Sequence, residues 1–450
     1  MAEKTQLPTG RNAKPSFNAL LLTASLIGTF GGFVAYLYAT VLHFMLGLTW
    51  DHALPLASQL LAQIGLPGDA LSLLAVTTFG GLLVGLCLKR FGVPGEIAAV
   101  VNNIHLEDGK IPTKQTPSMI VTSLVSITAG GSAGPEAPLV QIIGSAGSWL
   151  GDRLDWMRAH TRTLTFCGMS AALGAFFGAP LAGAVFALEI PHRNGLEYYE
   201  ALVPSIVSAF FSYWIFNTLA DHPHPLFPLK WETPHIDSEL LLKSILLGAV
   251  GALAAILFMQ LFRLAHLVLE RLEKRRALLG ACGGLLLGLL AIASPSQLSS
   301  STLFWGEFQM REILLQLGAA ELNSSWFAPL AAIAFLKMLA VSVTLNSGFR
   351  GGFIFPLFFI GGTAGAALSI ATAGWLPLPL SIVCLMAAAN VGVTRTPIST
   401  TILLGTLTSL SLTPLVLAAS LTAFVLTNKI QLIHSQRPRK TPSGYVWRET

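Results

Sequence analysis

Glu136 is a carboxylate in surroundings where a charge is expensive. It lies within Gly130–Gly147, which reads GGSAGPEAPLVQIIGSAG, and residues 115–135 and 137–151 on either side carry no charged side chain. An ionisable group in so apolar a setting marks a functional pathway by default. The glycines and prolines beside it prevent one continuous helix, and a helix starting here leaves backbone N–H groups free. Such N–H groups hold anions. The residues point to an anion path through an apolar interior, with Glu136 inside it.

Three glycine/proline breaks share this character: residues 90–96 (RFGVPGE), 134–138 (GPEAP) and 351–356 (GGFIFP). Each precedes an apolar helical run, so each can aim unpaired N–H groups and a positive dipole end at one point. The plainer reading is that these glycines only let helices pack closely. A proline following in all three, and a carboxylate in one, favours the site. A structural acid would need a basic partner, and none stands in the flanking runs. Other patterns weigh less. Residues 130–134 satisfy GxSxG, the letters of a nucleophile elbow at Ser132, but that motif needs a strand-to-helix turn and a histidine. His222 and His224 could bind a metal, but an exposed linker explains them. Cys87, Cys167, Cys282 and Cys384 form no CxxC pair and read as buried free thiols.

The elements that must position these residues are membrane helices. Of 450 residues 53% are hydrophobic and 11% charged, with mean hydropathy +0.66; soluble proteins carry about 25% charged residues. Uncharged runs cover 15–50, 70–88, 163–188, 201–220, 244–262, 277–306, 351–394 and 396–428. A spanning helix needs about 20 apolar residues, so roughly ten or more spans are expected. The first apolar run is too long for a signal peptide. The net charge of +5 sits in tails and linkers, which fits orientation against the cytoplasmic leaflet and not nucleic acid.

The halves repeat. A shift of 218 lays Gly134, Pro138, Leu139, Gly144 and Gly147 on Gly352, Pro356, Leu357, Gly362 and Gly365. A shift of 217 lays Ala171, Ala172 and Pro180 on Ala388, Ala389 and Pro397. Gly28 and Gly31 fall on Gly248 and Gly251 at 220, and Gly80, Gly81 and Gly85 on Gly283, Gly284 and Gly288 at 203. Four blocks in one order give repeats at 16–220 and 237–434, a polar linker at 221–236, and tails at 1–15 and 435–450. Residues 51–69 hold no Lys or Arg, whereas the corresponding linker holds Arg263, Arg271, Lys274, Arg275 and Arg276. One segment later the bias reverses: Lys89 and Arg90 follow in the first half, while 291–302 has no basic residue. Positive charge stays inside, so equivalent helices run in opposite directions. Such inverted repeats build a midplane site from the ends of broken helices. The basic tails (Lys4, Arg11 and Lys14; Lys429, Arg437, Arg439 and Lys440) place both termini in the cytoplasm of a multi-pass cell (inner) membrane protein.

The segment GPEAPLVQ at 134–141 is similar to the GxEGP motif, with its following valine and glutamine, of the CLC family of chloride channels and chloride/proton exchangers. Residues 352–356 (GFIFP) resemble the family's GxFxP, Gly92 to Pro94 the end of its GSGIP, and residues 178–189 and 395–397 further stretches. On these, in order over most of its length, the chain is identified as a member of that family, of the prokaryotic type without a C-terminal regulatory domain. The resemblance implies an all-α multi-span membrane protein with a CLC-type inverted-topology repeat and broken helices. It implies a homodimer in the lipid bilayer with a separate pore in each subunit. Glu136 would be the gating, proton-accepting glutamate. The amides of Phe353 and Ile354 would line the central anion site, with Phe91, Gly92 and Gly134 around it. Chloride or a similar small anion is the transported ligand; no cofactor and no enzymatic activity are implied. Phe91 stands where the family offers a serine, Ala137 where it has a second glycine, and Ile190 where exchangers carry a second glutamate, one position after Glu189. The family's pore tyrosine has no match; His434 is the nearest polar candidate and is left outside the site. An apolar Ile190 cannot relay protons, so the expectation is a passive chloride channel. Chloride/proton antiport is the alternative, and an intramembrane serine hydrolase acting through Ser132 a remote one.

Overall fold

The structure, a computed structural model, describes residues 16–220, 236–319 and 324–438. The linker with His222 and His224, and the tail residues Lys4, Arg11, Lys14, Arg439 and Lys440, lie outside the described residues. Among these, all regular structure is helical. The first half contains α1 (Phe17–Leu46), α2 (Leu54–Gln63), α3 (Gly68–Phe91), α4 (Ile97–Leu106), α5 (Thr116–Thr128), α6 (Glu136–Arg153), α7 (Thr161–Phe177), α8 (Pro180–Glu189) and α9 (Leu202–Leu219). The second contains α10 (Ser238–Leu269), α11 (Arg276–Ile292), α12 (Glu307–Ala319), α13 (Phe327–Asn346), α14 (Ile354–Ala371), α15 (Leu378–Thr394), α16 (Pro397–Leu407) and α17 (Thr413–Leu426).

Six helical segments among the described residues are long and apolar enough to cross a membrane; six apolar helices are shorter. That is fewer full spans than ten. Uncharged runs such as 351–394 hold two helices each, and a ten-residue helix such as α8 rises only about 15 Å, half of a hydrocarbon core. The broken helices stay inside. From Leu380 to Thr394 every residue of α15 is buried, as expected of a helix apolar all round. In contrast α1 turns Leu22, Leu26, Phe30, Phe33 and Leu37 outward, where lipid would meet them.

The repeat is visible in helix boundaries and contacts. Both ends of α6 and α14 differ by 218, and both ends of α7 and α15 by 217. A methyl group at Gly31 would come within 2.8 Å of Ala171 Cβ, and one at Gly251 within 2.3 Å of Ala388 Cβ. These are the same close contact made once in each half. Helices α3 and α11 pack antiparallel: Gly85, late in α3, faces Arg276 at the start of α11, while Gly288, late in α11, faces Leu74. Equivalent helices therefore do run in opposite directions. Arg276 donates to Leu88 O at 3.4 Å, which brings the basic linker 263–276 and the Lys89–Arg90 end of α3 to one face of the molecule.

Candidate functional site

After α5 the chain turns back through residues 129–135 and restarts as α6 at Glu136; after α13 it turns through 347–353 and restarts as α14 at Ile354. The two returning segments meet in an antiparallel bridge. Gly134 N–H donates to Gly352 O at 2.8 Å, and Gly352 N–H to Gly134 O at 2.6 Å. Two helix N-termini are thereby held head to head. In each, proline (Pro138, Pro356) is the third helical residue, where its missing N–H would have had no intrahelical acceptor. The first two N–H groups stay available for a ligand.

Glu136 fills this junction. Its carboxylate Oε1 accepts from Ile354 N–H at 3.0 Å, so the acid of one repeat occupies the first amide of the other. The side chain is only 1% exposed, and Oε2 has no hydrogen-bond partner. Both bridge glycines are required for this placement. A methyl group at Gly352 would lie 2.3 Å from Glu136 Cδ, and one at Gly134 2.0 Å from Oε2. A buried ion normally needs several compensating contacts; a helix N-terminus contributes at most about 2 kcal/mol.

Two cavities, each about 30 Å³, flank the junction. Pro135 and Leu139 border the first with Tyr38, Phe176 and Trp305. Ala137 and Pro138 border the second with Phe353, Arg350 and Glu96.

Residues 80–428 match the family described as voltage gated chloride channel. The chain belongs to the voltage gated chloride channel (CLC) family. A chloride/fluoride channel protein from Pseudomonas syringae pv. tomato (strain ATCC BAA-871 / DC3000) is 27% identical over 363 residues, covering 79% of this chain and 76% of that one. A crystal structure of a CLC-type fluoride/proton antiporter shares the fold, with TM-score 0.75 at 20% identity over 93% of this chain and 98% of the other. So does a slow cyanobacterial Cl⁻/H⁺ antiporter, with TM-score 0.75 at 21% identity over 91% and 95% of the two chains.

Of the residues that the CLC resemblance singles out, Gly134, Glu136, Phe353 and Ile354 converge. Phe91 and Gly92 do not join them. Phe91 ends α3 as a 48% exposed residue, with the Arg90 guanidinium 5.5 Å from its ring centre. Gly92 is exposed, and its carbonyl accepts from Ser118 Oγ at 2.6 Å. Neither lines the second cavity. Glu189 accepts from Ile398 N–H, Ser399 N–H and Ser399 Oγ at 3.0, 2.8 and 2.6 Å, so it caps the start of α16. Ile190 is buried against the apolar core, and His434 is exposed. Ser132 Oγ has no hydrogen-bond partner, so no base is placed to activate it as a nucleophile.

Sequence reasoning missed two buried basic side chains. Arg350 is 6% exposed, and its Nη1 donates to Glu96 Oε1. Lys337, fully buried in α13, donates to the carbonyls of Ser301, Thr302, Leu303 and Phe304 at 3.1, 3.2, 2.7 and 2.8 Å. The available signal was a charge directly beside the GGFIFP break, and another within an otherwise uncharged stretch, 327–349.

Proposed function

We propose that this CLC chain carries chloride or a similar small anion across the membrane, with the Glu136 carboxylate as its gate. The hydrogen bond from Ile354 N–H to Glu136 Oε1, 3.0 Å long, carries the reading. A carboxylate and a passing anion want the same donor, so an ionised, seated Glu136 closes the site. Protonation or displacement vacates it. Permeation then needs no covalent step, only amide dipoles in place of water and several weak sites so that the ion can leave again.

Passive conduction is favoured because Ile190, at the position of the exchangers' second glutamate, is buried and apolar. Proton-coupled exchange is the second reading. Glu136 Oε2 has no partner and can take a proton while Oε1 keeps its donor. Reversal potentials of anion current from the full chain in liposomes, under a proton gradient, separate the two. A potential set by chloride alone supports the channel, and one displaced by the pH gradient supports exchange. Absence of both anion current and anion-coupled proton movement eliminates both. The same reading includes a homodimer in the cell membrane with cytoplasmic termini. Site-specific crosslinking between copies, and the accessibility of terminal tags, test those parts.

A further inference from the structure

We propose that Arg350 is an anion-binding residue, a station on the basic face of the path that receives the ion next to the Ile354 amide, and that Glu96 occupies it in the ion's absence. The inference rests on the reading of the chain as an anion transporter.

Arg350 stands in the returning segment between α13 and α14. Its backbone N–H donates to Ser126 Oγ at 2.9 Å, which fixes the residue against α5. The side chain is more than nine-tenths buried, yet its Nε–H has no acceptor. A buried guanidinium N–H left without an acceptor is unfavourable, and an anion relieves it through a charge-assisted bond. The cavity of about 30 Å³ that Arg350 lines has Ala137, Pro138, Gly351 and Phe353 as further walls. Arg350 and Glu96 are its only polar side chains. Phe353 is the residue immediately before α14, so the cavity adjoins the amide that Glu136 occupies. Volume and lining suit a small monovalent anion.

The cavity lies at the end of α13, where Leu345 lines it. Asn346, at the end of α13, meets His266 Nδ1 at 3.1 Å, beside the linker with Arg271, Lys274 and Arg275. No serine hydroxyl reaches it from the end of α3, because that position is Phe91 and its ring points outward. Arg350 supplies the donor instead. A bare buried guanidinium would trap an anion, and conduction needs weak, exchangeable sites. Glu96 provides the exchange: its side chain is 55% exposed, so an arriving anion can take its place on the guanidinium while the carboxylate moves into water.

The test is chloride flux through the full chain in liposomes, measured against chloride concentration on the basic face. Arg350→Gln is expected to raise the half-saturating concentration by about tenfold, the loss of one charge-assisted hydrogen bond. Arg350→Lys, which keeps the charge, should raise it less. Glu96→Gln, which removes the competitor but keeps the guanidinium, should lower it several-fold. Unchanged half-saturation in Glu96→Gln overturns the proposal even where Arg350→Gln does not fold. So does flux through Arg350→Gln with wild-type concentration dependence, and in that case the transport reading stands. Wild-type protein that moves no anion overturns both readings.

Discussion

Gly134 and Gly352 occupy the same position in the two repeats, 218 residues apart, and hydrogen-bond to each other through both peptide groups, at 2.8 and 2.6 Å. An inverted repeat has one place where equivalent residues can face one another, its pseudo-two-fold axis. There both helix N-termini aim at a common point, but the residue that opens each helix differs: Glu136 in the first repeat and Ile354 in the second. The symmetric backbone makes a two-sided donor site, and the asymmetric side chain seats a carboxylate on one of its amides.

Gly352→Ala tests this geometry most directly. The new methyl would sit 2.3 Å from Glu136 Cδ, so the carboxylate must leave Ile354 N–H. Overpacking of this kind destabilises by about 1–3 kcal/mol. The expected result is a folded but less stable protein whose flux no longer depends on pH. Wild-type pH dependence together with an unchanged melting temperature would show that the carboxylate does not lie in the glycine trough.

Acidity should act through the same hydrogen bond. Ionised, Glu136 is a strong acceptor for Ile354 N–H; protonated, it is a weaker one and carries no charge to repel an entering anion. Flux is therefore expected to rise as pH falls, and Glu136→Gln should be high and flat across the range. A flux of Glu136→Gln that still rises with acid in liposome assays would move the titrating group elsewhere.

Glu189 should behave differently from Glu136. It accepts three hydrogen bonds at the start of α16, and losing such a cap typically destabilises by about 0.5–2 kcal/mol. Glu189→Ala should lower the melting temperature while leaving the pH dependence of flux per folded protein unchanged. A shifted pH profile at unchanged stability would make Glu189 a proton carrier after all.

The repeat, its inverted hand and the Glu136 break were legible because they rest on spacing and charge bias, which are properties of the sequence alone. Glycine recurrence at 218 and 220, with alanine recurrence at 217, encodes helix contacts made twice, such as Gly31 on Ala171 and Gly251 on Ala388. The span count was less legible, because uncharged runs do not announce where a helix breaks in mid-membrane. The proposed Arg350 station and the outward turn of Phe91 were not legible. The motif around Phe91 suggested a wall of the anion path, but a ring can rotate outward under an adjacent guanidinium, as it does beneath Arg90. Arg350 fell outside every motif considered, since its partner Glu96 is 254 residues away in sequence.

Lys337 offers a last prediction, on stability. Its side-chain nitrogen lies in a cage of four backbone carbonyls, Ser301 to Phe304, with the Phe359 ring centre 5.1 Å from Nζ. Those carbonyls belong to an irregular segment with no helical partners of its own, and Ser300 and Phe304 within it have positive φ, 62° and 55°. The lysine thus substitutes for the missing backbone donors and ties the segment to α13, with Phe359 of α14 closing the cage. Lys337→Met keeps most of the apolar stem but strands four acceptors, each worth about 1 kcal/mol net. A loss of roughly 2–4 kcal/mol is expected, with faster amide exchange or proteolysis at 300–306. Wild-type protection of that segment in Lys337→Met would show that the cage is incidental to the fold.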